Sequence, residues 1–505
     1  MNRLTIKWPA VLLATALALT ACSGGGDAKS TEGGSGGGTL TLGAYLEPVS
    51  LDLTAEAGAA IPQVLLYNVY EGLVRQDPAS GEVKPLLASE WSMSDDGTKY
   101  TFKLRSGVTF HDGQKLTAQD VVWSFKRVIA EGSTNPFKSQ MQVVSAVDAP
   151  DESTVVVTLS RASQSWLFDI AGRVGVVLKE GADKLDTAPN GTGPFKFEKW
   201  NRGDSITLAR SDNYWGEAAK VGTAVFRYIT DPNALNNAML SGQLDIVANI
   251  QAPQLLEVFK GNNQFQVVEG VTTGEVVMAM NNTKGPLADV RVRQAIRHAI
   301  DHQALVKTVW SGYGTLIGSM VPPSDPWYED RTGDFPHDPA KAKELLAAAG
   351  HANGLTLTMD VPPPGYARSS AQFVASQLAE VGITVTQNNV EMPQWLDKVL
   401  GKANYDLSII AHVEPRDLIR YSQPDYYYRY NNPAVAQLMK EADTALDATV
   451  RDKKFAEAAA VISKEAASDW LFLLPNLAVI RQGVEGYPKD AVTQSFDVTK
   501  VSKSS

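Results

Sequence analysis

The sequence predicts an α/β protein built from at least two lobes, and three observations carry that expectation. Residues 355–411 alternate strand, helix, strand, helix, strand, the pattern of a parallel sheet with right-handed crossovers. The stretch from about residue 76 to 189 is instead rich in short alternating strands. Removing a 21-residue leader from the 505-residue chain leaves 484 residues, more than one hydrophobic core organises.

The leader has a basic end, Arg3 and Lys7, followed by an apolar run from Trp8 to Thr20. That run, about 13 residues, is short of the roughly 20 that a membrane-spanning helix needs. It ends in Leu19-Thr20-Ala21-Cys22, and Cys22 is the only cysteine of the chain. The pattern resembles the lipobox of bacterial lipoprotein precursors. The resemblance implies cleavage after residue 21 and two acyl chains on Cys22, enough for stable anchoring. Residues 23–38, SGGGDAKSTEGGSGGG, form a flexible tether. Gly33, Ser35 and Gly37 match a hydrolase elbow in letters only, because no strand precedes them and no helix follows. Without the leader's two cations the chain carries 44 basic and 56 acidic residues, a net of −12. That balance argues against nucleic acid and against a polybasic membrane patch. A lone cysteine excludes an intrachain disulfide.

The body opens with the alternating strand Thr39–Ala44, and Asn68–Val74 follows a helix. Tyr100–Arg105 is a strand that resumes at Val108–Phe110 after Gly107; His111-Asp112-Gly113 then turns the chain. Thr117 opens a helix with Asp120 three residues on, and Leu116 and Val121 are placed as a hydrophobic staple. Residues 154–160 form another strand. Gly191–Phe195 is a turn before the strand Lys196–Lys199, and Val225–Ile229 is a strand. Asp231-Pro232 opens a helix that Gly242 stops, and Leu244–Val247 is a short strand. One helix is predicted from about Val290 to Trp310, capped by Asp289. Asp338-Pro339 starts a helix that Gly350 ends. Leu355–Val361, Ile383–Val390 and Tyr405–Ala411 are then strands, with helices at Arg368–Val381 and Met392–Leu400. Ligands bind beyond the carboxyl ends of such strands. Those ends carry Pro362–Tyr366 and the loop His412-Val413-Glu414-Pro415-Arg416-Asp417.

Four segments carry a family resemblance. Tyr100–Phe125, YTFKLRSGVTFHDGQKLTAQDVVWSF, resembles the signature of the family 5 extracellular solute-binding proteins, the dipeptide-, oligopeptide- and nickel-type receptors of ATP-driven importers. Gly191–Phe195, Asp289–Val306 and Asp338–Gly350 resemble that family's turn, Ala-Ile-Asp and Lys-Ala-Lys motifs, and the order holds from about residue 39 to 480. The resemblance implies a two-lobed, periplasmic-binding-protein-like fold of type II, cluster C, with an extra subdomain in lobe I. It divides the chain into a leader (1–21), the lipidated cysteine and linker (22–38), a lobe I core (39–75, 190–274 and 475–505), the extra subdomain (76–189) and lobe II (275–474).

The function implied is a lipid-anchored receptor on the extracytoplasmic face of the membrane. It delivers a peptide or peptide-like solute to the permease subunits of an importer; a monomer is expected, with no cofactor and no resident metal. A receptor for a nickel chelate, an opine or an oligosaccharide is the alternative, with a secreted hydrolase behind it. In peptide-binding relatives an aspartate in the loop after the strand matching Tyr405–Ala411 pairs with the peptide ammonium, usually within a Trp and Asp-Pro-Asp-like cluster. This chain departs from that cluster with His412, Glu414, Arg416 and Asp417. Glu414 or Asp417 is the candidate for an ammonium, and Arg416 for a carboxylate. Tyr366, after three prolines, is a candidate aromatic wall, and Glu47, beside Tyr45, a further ligand contact. Tyr426, Tyr427, Tyr428, Tyr430 and Trp215 suit either packing or a wet cleft. His298 and His302 have i, i+4 spacing, but no H-E-x-x-H motif and no third ligand accompany them. With no framed nucleophile and six histidines in all, no enzyme is expected.

Overall fold

Alternating apolar residues place Leu40, Leu42 and Ala44 of the strand Thr39–Ala44 inside a seven-stranded sheet. The computed structural model describes residues 37–504 apart from 57, 79 and 80, so the leader, Cys22 and nearly all of the linker lie outside the described residues. The sheet runs Phe265–Gly270, Asn476–Arg481, Ile246–Val247, Thr39–Ala44, Thr223–Tyr228, Ser205–Arg210, Phe195–Asn201. Thr39–Ala44 is parallel to both neighbours, and Asn476–Arg481 returns from late in the chain to pair antiparallel on both sides.

Residues 88–159 build a separate antiparallel sheet in the order Ala88–Met93, Lys99–Leu104, Thr154–Leu159, Val144–Asp151. The helix Ala118–Ile129 covers it with Val121, Val122, Phe125 and Val128. Its start is closed by Asp120, whose carboxylate accepts from the Thr117 N–H at 2.8 Å and the Thr117 hydroxyl at 3.0 Å. Val108–Phe110 does not resume the strand. The Phe110 N–H donates to Gln114 O and Leu116 N–H to Val108 O, so this segment pairs with its own return. The turn Gly191-Thr192-Gly193 lies on the backbone of Asn68 and Val69. A β-carbon at Gly191 would fall 1.9 Å from Val69 O, so only glycine allows the approach.

The second large sheet has five strands in the order Ile383–Asn389, Leu355–Val361, Leu407–His412, Glu275–Met280, Ser468–Leu473. The first three are parallel, and Glu275–Met280 is antiparallel to both its neighbours. The expected helix from Val290 to Trp310 is two helices, Val290–Ala299 and His302–Val309. Ile300 is extended between them, and Asp301 caps the second by accepting from Ala304 N at 2.9 Å. The apolar stripe continues across the break, which hides it from periodicity. His298 and His302 therefore sit on different helices. His298 Nδ1 meets Pro336 O, and His302 Nε2 meets Asp469.

The chain crosses between the two large sheets at residues 271–274 and again at 474–475. The crossings are tied to each other: Leu474 N–H donates to Gly274 O at 2.8 Å, and the Thr272 hydroxyl to Leu474 O at 2.5 Å.

One buried ion pair anchors the second lobe. Asp469, fully buried, accepts from Arg297 Nε at 3.2 Å and lies 3.0 Å from His302 Nε2, while the Arg297 guanidinium stacks on Phe335 and Trp470. Removing the guanidinium leaves the buried carboxylate to His302 alone, so Arg297→Leu is expected to cost about 3–5 kcal/mol in urea unfolding. A loss below about 1 kcal/mol would show that the pair is dispensable.

Candidate ligand cleft

Three cavities of about 60, 370 and 270 Å³ lie where the extra subdomain faces the loops of the second lobe, and all three are lined by Pro415. The loop 412–417 is at the carboxyl end of the strand Leu407–His412, next to the antiparallel Glu275–Met280.

His412 turns inward. Its Nδ1–H donates to Asp417 at 2.8 Å, and its Nε2 meets the hydroxyls of Tyr427 and Tyr428 at 2.8 and 2.9 Å. The ring lies parallel to that of Tyr427. Arg420 holds the other Asp417 oxygen at 3.4 Å. Asp417 and His412 are thus the buried floor of the loop, and both Asp417 oxygens are engaged within the loop rather than presented to a ligand. His412, Glu414 and Asp417 bring ligand atoms within 4.8 Å of one another, but both imidazole nitrogens are already hydrogen-bonded, so the trio does not suit a metal. Tyr427, Tyr428 and Tyr430 are buried beneath it.

Glu414 is half-buried and lines the smallest cavity together with Asp169 and Arg173. Burial, then the nearby Asp417, pushes its carboxyl up. Arg173 donates to the backbone oxygens of Leu53, Glu56 and Gly58, and burial lowers its guanidinium to about 10. Arg416 adopts a left-handed backbone at φ 63°, with its guanidinium 3.5 Å over the Phe168 ring and 4.9 Å from Trp327. It does not clamp a carboxylate in this state. Burial pushes Asp169 up to about 8 and Asp325 to about 6. Glu275 is raised well above the carboxylate range, and its Oε2 is buried without a partner.

The two sides of the cleft are latched at Asp443 of the helix Pro433–Thr444. Its carboxylate accepts from Arg161 at 2.5 Å, the Ser163 hydroxyl at 2.9 Å and the Ser165 N–H at 3.0 Å, all three from the extra subdomain.

Other candidates lie elsewhere. Tyr366 is in the buried core of the second lobe, not on a wall. The helix there begins at Gly365, the side chain is 8% exposed, and its hydroxyl accepts from Ala411 N at 3.0 Å. Glu47 accepts from Trp200 Nε1 at 2.8 Å and Gly203 N at 2.9 Å, which fixes a hairpin of the first sheet. Trp215 donates to buried Glu71, as do Tyr214 and Thr192. Phe168, Asp169, Arg173, Asp325 and Trp327 line the cleft without having been singled out in the sequence. Only the proline-bracketed loop Pro322–Trp327 carried a local signal.

The profile of bacterial extracellular solute-binding proteins, family 5, matches residues 82–442. The dipeptide-binding protein of Escherichia coli K12 is 32% identical over 364 residues, 65% of this chain and 68% of that protein. Heme-binding protein A of Haemophilus influenzae is 29% identical over 362 residues, 65% of each chain, so the match spans just under two-thirds of that relative. The solved structure of the binding protein AgaA from A. tumefaciens R10, in complex with agropinic acid, superposes with a TM-score of 0.82 at 25% identity, covering 93% of this chain and 99% of that one.

A raised carboxyl keeps in the folded chain a proton that the unfolded chain has released, so stability falls as pH rises between the two values. For Asp325 the window runs from the ordinary value near 4 to about 6, and for Asp169 from near 4 to about 8. Urea midpoints of the ligand-free protein are expected to decline across this range, and Asp169→Asn to flatten the part between about pH 6 and 8. An unchanged slope in the variant would place the titration elsewhere.

Proposed function

The chain belongs to family 5 of the bacterial extracellular solute-binding proteins, and from that premise we propose that it captures a peptide or peptide-like solute between its lobes and hands it to an ATP-driven importer. The observation that carries the reading is the cleft itself. Two separately cored lobes are joined by two short crossings, and loops rich in both signs of charge face each other over the cavities. Contacts made to both lobes exist only when the lobes are together, so a ligand that makes them shifts the protein towards closure. A zwitterionic solute suits such a lining. Of the two loop carboxylates, Glu414 is the one positioned to accept an ammonium, since Asp417 is engaged by His412 and Arg420.

The anchor on Cys22 belongs to the same reading. The lipobox-like end of the leader and the glycine-rich linker support a tethered body, and a tether keeps the receptor at high effective concentration near its permease. Among the described residues no helix is long and apolar enough to cross a membrane. A solute of the agropinic acid kind is the second reading, favoured by the relative solved with that ligand.

Mass spectrometry of small molecules that co-purify with the protein, followed by calorimetric titration of di- to pentapeptides, tests the proposal. Saturable binding without turnover is expected, and Glu414→Gln is expected to weaken it roughly tenfold or more, the value of a charge-assisted hydrogen bond. Tight binding of another solute, with no peptide binding at all, would end the peptide reading.

A further inference from the structure

Among the described residues, the arginines lining the cleft are engaged, with one exception. Arg161, Arg420 and Arg451 pair with Asp443, Asp417 and Asp452, and Arg173 donates to backbone oxygens. Arg416 has no hydrogen-bond or ion-pair partner for its guanidinium among the described residues, and its Nε is buried and unsatisfied. Its backbone is left-handed, a conformation that a β-carbon disfavours. A left-handed residue of this kind is held in place by what surrounds it.

Those surroundings come from both sides of the cleft. Phe168, 3.5 Å from the guanidinium carbon, and Asp169 end the helix Gln164–Asp169 of the extra subdomain. Trp327, at 4.9 Å, and Asp325 belong to the second lobe. Aromatic faces with adjacent carboxyls make a cage for a cation. Neither carboxyl is in ion-pair contact, yet Arg416 pulls on both. The same side chain lines both the 370 and the 270 Å³ cavities, so it partitions the cleft. Glu275 and Glu414 nearby also have no ion-pair partner among the described residues.

We propose that Phe168, Asp169, Asp325 and Trp327 form a subsite for an organic cation of the cargo, an alkylammonium or guanidinium, and that Arg416 fills it as a displaceable stand-in whenever the lobes meet without cargo. The proposal rests on the receptor reading and narrows it to solutes with a positive charge beyond that of a simple zwitterion. On entry the cargo's cation replaces the arginine between the two rings, Arg416 swings out to a relaxed backbone, and the two cavities merge into one.

Calorimetry on the purified full chain with matched peptide pairs tests this, using alanyl-lysine against alanyl-norleucine and alanyl-arginine against alanyl-citrulline. The charged member is expected to bind at least roughly tenfold tighter. Asp325→Asn is expected to erase most of that preference. Arg416→Ala, which removes the competitor, is expected to tighten the charged member more than the neutral one. Equal binding within both pairs, or weaker binding of the charged member to Arg416→Ala, overturns the subsite while leaving peptide binding intact. If no peptide binds, the peptide reading fails, and the subsite is judged by thermal unfolding in millimolar ethylguanidinium. A rise in Tm for Arg416→Ala that is absent from Arg416→Ala/Asp325→Asn supports it; no rise overturns it.

Discussion

The two crossings at residues 271–274 and 474–475 are the constraint on which the rest of the molecule depends. Each large sheet has its own buried cluster, built around Leu42 and Phe226 in the first lobe and Met278 and Ile296 in the second. Close-packed interiors of this kind do not deform to follow a ligand. Relative movement has to be absorbed where the chain passes between the lobes. There the hydrogen bonds from Leu474 N–H to Gly274 O and from Thr272 to Leu474 O keep the two strands in register with each other. The two crossings are thereby tied to each other, as the proposed closure of the lobes on a solute requires.

What joins the two sides of the cleft is chemically distinct from what holds each lobe. The latch at Asp443 uses three donors from the extra subdomain, and it caps the helix Gln164–Asp169 whose far end delivers Phe168 and Asp169 to the cleft. The latch and the cage are therefore one mechanical unit. Inside the cleft, by contrast, carboxyls at Asp169, Asp325, Glu275 and Glu414 are raised by burial, and the arginine facing them is unpaired. A core would not tolerate that imbalance, because buried charge is costly unless matched. In a receptor it is the part of the surface that a ligand completes.

Much of the fold was legible in the sequence because it rests on local periodicity. The alternation in Thr39–Ala44 and the strand–helix pattern of 355–411 correspond to elements of the two sheets. The break at Ile300 was hidden because Val292, Ile296, Leu305 and Val306 continue one apolar stripe across it. The loop 412–417 lies at a strand's carboxyl end, where topology places ligands. Which of its side chains face outward was not legible. His412 and Asp417 turn to tyrosines and an arginine up to sixteen residues away, and that pairing has no local signature. Tyr366 misled for a related reason: three prolines mark a loop, but the helix begins one residue before it and carries its ring into the core. The cage was invisible because Phe168 and Trp327 come together only through the tertiary fold.

Labelled distances across the cleft test the central claim, that this is a two-lobed receptor that closes on its solute. Ser139 and Gln423 line the same 270 Å³ cavity from opposite sides. With Cys22 the only native cysteine, Ser139→Cys and Gln423→Cys can carry spin labels in a Cys22→Ser background. The account predicts a long, broad distance distribution in the ligand-free protein that collapses to a short, narrow one when the co-purifying solute is restored. A distribution that stays the same at saturating solute would contradict it.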